Sequence, residues 1–480
     1  MVYFPTEDYS LILFAQVNGG LYFLMRERAI YEDGERRDEL LRYQAMCQIN
    51  FETACVNLPL LMPSRKESIE LLLMASTYAV EMSKFTLAWR FNITAATICQ
   101  TLGYHRAMSA EAAADPRNEI RILIFWFCYA FDKAFSLRFG RNSMIQDYDI
   151  TAPRELGSNI CLPDPAWRAV FMQWTTHAEF IGKAYEQLFS PAALTRPPHL
   201  RAESARELIC KLDDLMRRVG TERDAAGFSL PGSGEPSLND PNNPNPFSLD
   251  MAAASDDVMF YATMALVYRA IPNETGSGGS LHPGCIDAAR RAFERHDDCM
   301  NMTSDNLVRS GYIHWCVCNP DFFTTLLTSM PPRSRTILYI PFVPVIVLFC
   351  HVIETYNAAD LQRLSAFANS LQPVCAVSKA TERFYRVCQV LYNVARLYLE
   401  AKAEQDEQMN LVGNDMDMYL SQLGFMPQQF DPSAHTAFND GSLPQAAQLG
   451  NWLSGSGHIL GLVEGDLAAF DPGMWNHPHP

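Results

Sequence analysis

The sequence predicts an all-α protein that ends in a long acidic segment. Apolar residues recur at helical spacing through most of the first 402 of the 480 residues. Period-two alternation bounded by hairpin turns is hard to find anywhere in the chain. After residue 403 the composition becomes polar, acidic and rich in glycine and proline. We therefore expect a multi-helix body followed by a mostly disordered tail.

Two helices are indicated between residues 64 and 103. Ser64 and Glu67 have the spacing of a capping box, which predicts a helix that starts there. Apolar residues then recur along one helical face, at Ile69, Leu72, Leu73 and Val80. The following segment, "WRFNITAATICQTLG", ends on Gly103, a residue that commonly follows the last turn of a helix.

The next predicted helix is the most apolar in the body. Asp115 followed by Pro116 is typical of a helix start, with Asp115 as the N-cap. Apolar residues then occupy both sides of the helix, which predicts that other helices surround it. Four ionisable residues interrupt this apolar helix, namely Arg121, Asp132, Lys133 and Arg138.

Neither of two apolar stretches is predicted to cross a membrane. The four ionisable residues would each cost about 2.5–3.5 kcal/mol at a bilayer centre. The stretch "TILYIPFVPVIVLFCHVI", residues 336–353, has no charged residue but contains Pro341 and Pro344 and only reaches the minimum spanning length. A buried helix is the preferred interpretation, and no membrane partner is expected.

The body is predicted to have two parts. Residues 1–219 form the first part, and residues 249–402 form the second. Between them, residues 220–248 contain five prolines and four glycines, which is typical of a loop or linker. Residues 403–480 form the acidic tail.

The charge of the chain argues against direct binding to nucleic acid. The net charge is −16, and residues 403–480 hold ten acidic residues and no lysine or arginine, which leaves −6 for the rest. Neither part has the basic surface that phosphate contacts require.

The tail has the composition of an activation-type interaction segment. Acidic residues keep aromatic and aliphatic side chains solvated and available for a groove on a partner protein. An ordinary acidic tail without a partner is the alternative. The candidate contact residues are Tyr419, Leu420, Leu423, Phe425, Trp452, Leu460, Leu462, Leu467 and Phe470.

No residue can be defended as catalytic or metal-binding from the sequence. The thirteen cysteines are scattered in apolar surroundings, which is typical of reduced, buried thiols. Cys316 and Cys318 lack the spacing of a zinc site. Asp297 and Asp298 resemble part of an aspartate-rich magnesium motif, but Asn301 stands where a third carboxylate is required.

Residues 102–153 resemble the signature of the fungal-specific transcription factor domain, the regulatory middle region of fungal zinc-cluster transcription factors. "LGYHR" matches its helix-ending motif and "RILIFWFCYAFDK" its next helix, with Lys133 where arginine is usual. "SLRFGRNSMIQDYDITAP" matches the turn and segment that follow, with Asn142 where proline is usual. The matching positions include Leu102, Gly103, His105, Arg106, Arg121, Phe125, Trp126, Asp132, Arg138, Gly140, Arg141, Asp147, Asp149 and Pro153.

This resemblance implies a non-enzymatic regulator of RNA polymerase II genes in a fungal nucleus. The N-terminal "NGGLYFLMRE" and the tail's "NWLSGSGHILGLVEGDL" most resemble the regulators of cutinase and fatty-acid-utilisation genes. A metabolic or biosynthetic gene set is therefore the expected target. The helical body would control access to the tail, and the tail would recruit the transcription machinery.

The resemblance lacks one part of the family pattern. Family members carry a six-cysteine zinc cluster that binds DNA, and this sequence contains none, so no cofactor is expected. DNA contact would come from a missing N-terminus or from a partner, in a homodimer or a heterodimer with a zinc-cluster factor. Three alternatives stay open: a standalone co-regulator or decoy of such a factor, a helical enzyme that reused the fold, and a purely structural protein.

The resemblance also implies that the ionisable residues of the apolar helix belong to a buried structural network. Arg121 and Asp132 lie eleven residues apart, too far for a direct ion pair, so each requires another partner. The candidate partners are Arg106, Arg138, Arg141, Asp147 and Asp149.

Overall fold

The computed structural model describes residues 9–109, 115–154, 165–225, 249–272, 281–313 and 342–403. Within these ranges the regular structure is helical throughout, which confirms the all-α prediction. The α-helices of the described ranges, α1 to α14, are Leu11–Ile30, Gly34–Val56, Lys66–Glu81, Phe85–Thr101, Pro116–Phe139, Pro165–Ala184, Pro191–Leu194, Pro198–Ala225, Leu249–Tyr268, Pro283–Asn301, Asn306–Ile313, Phe342–Thr355, Ala358–Leu371 and Lys379–Ala403. A π-helical turn, Tyr185–Phe189, and two 3-10 turns, Asp147–Asp149 and Gln372–Ala376, supplement them.

The first four helices form two packed pairs. Helix α1 lies along α2, and α3 lies along α4. The Oγ of Ser10 accepts a hydrogen bond from the N–H of Leu13 and so caps α1. The sharp turn between α3 and α4 places Ser83 at a φ of 56°.

The predicted capping box at Ser64 and Glu67 is wrong. Helix α3 begins at Lys66, its N-cap is Arg65, and no side-chain hydrogen bond caps it. The Arg65 N–H bonds to the carbonyl of Pro63, at 2.9 Å, so a proline turn occupies the residues that the capping box would need.

Helix α5 begins at Pro116, as the Asp-Pro pair predicts, and it is surrounded by other helices. It packs against α3, α4 and α6. All side chains from Ile122 to Lys133 are buried, on every side of the helix. This burial explains why the helix shows no single apolar stripe.

The C-terminal helices pack around α10 and α12. Helix α10 contacts α9, α12 and α13, and α14 contacts α12 and α13. In α12, the segment from Ile346 to Leu348 is completely buried, which confirms a core helix in the described part of the 336–353 stretch. None of the helices in the described ranges is long and apolar enough to cross a membrane.

One apolar core joins the two predicted parts of the body. A single cluster of buried side chains includes residues from α1 to α6 and from α9 to α14. Helix α8 continues to Ala225, six residues into the predicted loop at 220–248. The remainder of that loop and residues 404–480 lie outside the described ranges.

Candidate functional site: the signature segment

The signature begins at the end of α4, where the chain turns sharply. Gly103 has a φ of 73°, as its predicted position after the helix requires. Its N–H bonds to the carbonyl of Gln100 at 3.0 Å, and the N–H of Tyr104 bonds to that of Cys99 at 2.9 Å. These two bonds form a Schellman motif and satisfy carbonyls that the helix end would leave unpaired. The C-cap, Leu102, packs against the core.

His105 then fixes the far end of the signature through its backbone. Its carbonyl accepts hydrogen bonds from the N–H groups of Thr151, at 2.9 Å, and Ala152, at 3.0 Å. Its ring is buried, and Nε2 accepts from Nε of Arg106 at 3.1 Å. The same Nε2 lies 3.7 Å from Oδ2 of Asp149. The two ends of the signature therefore lie side by side.

We call residues 140–153 the return segment, because they run back along α5. The segment starts at Gly140, which has a φ of 60°, and the N–H of Arg141 bonds to the carbonyl of Ser136 at 3.1 Å. It ends at Pro153, whose carbonyl accepts from Nε1 of Trp126 at 2.8 Å. The signature is therefore one folded unit of helix and return segment.

Asp132 is the central polar contact of this unit. Its buried carboxylate accepts hydrogen bonds from the N–H of Met144, at 3.0 Å, from the N–H of Ile145, at 2.8 Å, and from Oγ of Ser143. Burial raises the pKa of this carboxyl group, and the three hydrogen bonds oppose that rise. The prediction that an arginine is the partner of Asp132 is wrong, because neutral donors of the return segment bind its carboxylate.

Lys133 and Tyr129 hold the middle of the return segment. Nζ of Lys133 donates to the carbonyl of Ile145 at 2.8 Å and lies 2.9 Å from Oδ1 of Asp147. The hydroxyl of Tyr129 donates to the same Asp147 oxygen at 2.9 Å. Lys133, which stands where arginine is usual, is therefore buried, and its Nζ binds the return segment.

The arginines of the signature lie at its surface. Arg106, Arg121 and Arg141 are exposed, and Arg138 is half-buried. The guanidinium of Arg121 lies 5.5 Å from the ring centre of Tyr104, so its predicted place in a buried charge network is wrong.

Aromatic rings receive the other arginine side chains. The guanidinium of Arg138 lies 3.4 Å from the ring centre of Phe85, and that of Arg141 lies 4.7 Å from the ring of Trp89. Such contacts need only a ring face, so charge pairing alone is a poor guide to the partner of an arginine.

Phe125 and Trp126 complete the core of the unit. Both side chains are fully buried, and their ring centres lie 5.2 Å apart. The indole N–H is satisfied by Pro153, as a buried tryptophan requires.

The polar side chains of this unit stabilise its fold. The buried polar atoms of Tyr129, Asp132 and Lys133 are engaged by the return segment. Among the described residues there is no group of three or more histidine, cysteine or acidic side chains that could hold a metal ion. The predicted Asp297 and Asp298 lie on α10, where Asp298 pairs with Arg295 at 2.9 Å.

A cavity of about 800 Å³, which was not predicted from the sequence, lies beside α1 and α2. Its walls come from the first four helices, from α11 and from the start of α14. Tyr22, Glu52, Tyr78 and Glu81 line it, from helices α1, α2 and α3. These ionisable residues within predicted helices were the signal that the sequence offered. The sequence does not show that three separate helices bring them together.

The activation-segment candidates, from Tyr419 to Phe470, lie outside the described residues. So do Cys316 and Cys318. Their predicted roles stay predictions.

Comparison with known proteins matches the signature and its surroundings to one family. No curated protein and no solved structure was found to match the chain. The matched family is regulatory and not enzymatic, and a transcription factor domain implies action in the nucleus. Residues 54–169, from the end of α2 into α6, match the fungal specific transcription factor domain, and this match suggests a transcriptional regulator.

Proposed function

We propose that this chain regulates transcription by RNA polymerase II in a fungal nucleus, with a metabolic or biosynthetic gene set as its target. The observation that carries the proposal is the match of residues 54–169 to a transcription factor domain. The folded unit of α5 and the return segment supports it, because the matched positions from His105 to Pro153 contact one another.

The acidic tail is the proposed effector of the protein. Residues 403–480 carry ten acidic and no basic residues, with aromatic and aliphatic side chains among them. Segments of this kind bind grooves of partner proteins through their apolar side chains. Helix α14 leads directly from the body into the tail, so a change at the body can alter the presentation of the tail.

DNA contact is proposed to come from outside the residues of this chain. The net charge of −16 supports this proposal, because binding to phosphate groups requires clustered basic residues. A partner with its own DNA-binding domain, such as a zinc-cluster factor, or residues that precede this sequence would supply that contact.

A reporter assay tests the proposed effector role. Residues 403–480, and separately the full chain, are fused to a heterologous DNA-binding domain. We expect the tail fusion to activate the reporter above the level of the DNA-binding domain alone. We expect the full chain to activate less, because the body limits access to the tail.

A matched variant shows whether the apolar side chains are responsible. Changing Trp452, Leu460, Leu462 and Phe470 to serine keeps every acidic residue, so activation should fall to background only if these side chains make the contact. Silence from both unaltered fusions would contradict the proposed activation.

A further inference from the structure

The polar wall of the 800 Å³ cavity contains two tyrosine–glutamate pairs, and one of them is electrically balanced. The hydroxyl of Tyr22 donates to Oε2 of Glu81 at 3.2 Å. Nη1 of Arg26 lies 2.8 Å from Oε1 of the same carboxylate. The buried charge of Glu81 is therefore neutralised within the protein.

The second pair, Tyr78 and Glu52, has no such cation. The hydroxyl of Tyr78 donates to Oε1 of Glu52, and Nε2 of Gln48 reaches the same oxygen at 3.3 Å. Among the described residues, no lysine, arginine or histidine forms an ion pair with Glu52. Burial raises the pKa of this carboxyl group, since only neutral hydrogen bonds offset the loss of water.

The other cations of the cavity lie in different settings. Lys379 is exposed at the first residue of α14 and stays hydrated. Lys84 and Arg383 are half-buried and make interactions of their own within the chain. Of the two carboxylates that line this cavity, Glu52 is therefore the one without an ion pair to a cation among the described residues.

Apolar side chains form part of the remaining wall. Met82, Leu87 and Phe91 come from the turn before α4 and from α4, Leu41 comes from α2, and Leu307 comes from α11. A volume near 800 Å³ lies within the usual range for small-molecule sites, roughly 300–1,000 Å³, which combine apolar walls with a few polar groups.

From this geometry we propose that the cavity binds an amphipathic small molecule with an amine or other cationic nitrogen at one end. The nitrogen donates to Glu52, and the apolar body packs against Leu87 and Phe91. This binding does not depend on the proposed function, since it follows from the cavity alone.

The position of the cavity indicates which segments of the chain a bound ligand contacts. Its walls include the last turn of α3, the residues from Ala376 to Ser378 that lead into α14, and Lys379 at its start. The other end of α14 leads into the acidic tail. A bound ligand therefore contacts the family-matched segment and the helix that carries the proposed effector.

Calorimetric titration of the full chain tests the ligand class. The probes share one apolar body: 4-phenylbutylamine, 4-phenylbutan-1-ol and 4-phenylbutanoate. At neutral pH we expect the amine to bind about tenfold tighter than the carboxylate, as one charge-assisted hydrogen bond provides. Glu52→Gln should lower the affinity for the amine about tenfold and leave the affinity for the alcohol unchanged.

Two further variants locate the site. Glu35→Gln changes an exposed carboxylate on the same helix and should not alter binding of any probe. Leu87→Trp fills the apolar side of the cavity and should weaken all three probes. Far-UV circular dichroism checks that each variant folds.

The proposal is overturned if the carboxylate binds the unaltered chain as tightly as the amine, or if none of the probes binds. It is also overturned if folded Glu52→Gln keeps the full affinity for the amine. The amine-to-carboxylate ratio on the unaltered chain gives this test even if a variant does not fold.

Discussion

At the scale of single residues, neutral donors hold the buried carboxylate at the centre of the signature. Asp132 is held by two backbone N–H groups and a serine hydroxyl. A carboxylate accepts several such bonds at once, so it can organise a segment that has no regular structure of its own. The polar residues of the apolar helix α5 are in this sense part of the core.

Asp132→Asn should lower the free energy of unfolding by about 1–3 kcal/mol. The amide has one acceptor oxygen in place of two, and its NH₂ group would face backbone donors. Denaturant unfolding followed by circular dichroism measures the loss.

Asp149→Asn is the matched control, because the side chain of Asp149 is 54% exposed. We expect it to change the free energy of unfolding by no more than about 0.5 kcal/mol. Equal losses in the two variants would contradict the role given to Asp132.

Glu70 in α3 makes stability depend on pH. Burial raises its pKa to about 7, although Nζ of Lys66 lies 3.1 Å from Oε1. In the unfolded chain the pKa returns to 4.5, so between these values the folded state holds the extra proton. This contribution to stability is therefore fully present below about pH 4.5 and is lost as pH rises through about 7.

Glu70→Gln should remove this contribution, since glutamine keeps the shape and the contact with Gln16 but carries no charge. The unfolding free energy of the variant should exceed that of the unaltered protein by about 1–3 kcal/mol at pH 8. Near pH 4, below the unfolded pKa, the two should nearly agree. Chemical denaturation at both pH values measures this difference, with the exposed Glu203→Gln as a control. If Glu70→Gln keeps the pH dependence of the unaltered protein, this account is wrong.

At the scale of elements, helix ends determine how the signature folds. Gly103 closes α4 and Gly140 closes α5, and both have positive φ values that other residues adopt at a cost. The first turn places His105 beside the end of the return segment, and the second directs that segment back along α5. The contacts of Asp132 become possible only after these two turns.

Gly103→Ala should destabilise the protein by about 1–2 kcal/mol through its backbone alone. A Cβ at this position meets no atom within 4 Å, so a steric clash does not contribute. Gly220→Ala is the matched change, because Gly220 also has open space but lies inside α8 without a positive φ.

This control should instead stabilise the helix, by about 0.5–1 kcal/mol. Thermal unfolding of the two variants measures both effects. A shift of the same sign in both would contradict the assigned role of the turn.

At the scale of the whole molecule, one core and a few buried charges connect distant helices. Asp360 in α13 is completely buried and accepts from Nη2 of Arg290 in α10, at 2.7 Å, and from Nδ1 of His351 in α12, at 2.8 Å. Hydrogen bonds from these partners hold the pKa of Asp360 well below its usual range despite burial.

Asp360→Asn should lower the free energy of unfolding by about 3 kcal/mol at neutral pH, because Arg290 and His351 lose their counter-charge. The depressed pKa means that Asp360 stabilises the fold above about pH 4 and that this contribution is lost as pH falls further. The difference between the two proteins should therefore shrink on acidification. Denaturant midpoints measured from pH 7 to pH 3 test this, and a constant difference would contradict it.

Much of the fold follows from local sequence patterns. Helical spacing predicts an all-α body, the Asp-Pro pair predicts the start of α5, and Gly103 predicts the end of α4. These features depend on residues a few positions apart, where backbone geometry and capping act directly. The capping box at Ser64 fails because a proline turn competes for the same residues.

Only the tertiary structure determines which groups pair with the buried polar side chains and where the cavity forms. The sequence suggested arginines and aspartates as partners for the charged residues of α5. Backbone N–H groups hold Asp132 instead, and aromatic rings face Arg121 and Arg138, whereas Lys133 pairs with the predicted candidate Asp147. Backbone donors are present at every residue except proline, so composition cannot tell which of them will face a given carboxylate. Glu52, Tyr78 and Arg26 likewise meet at one cavity only because three helices pack together, and that packing depends on contacts between residues far apart in the chain.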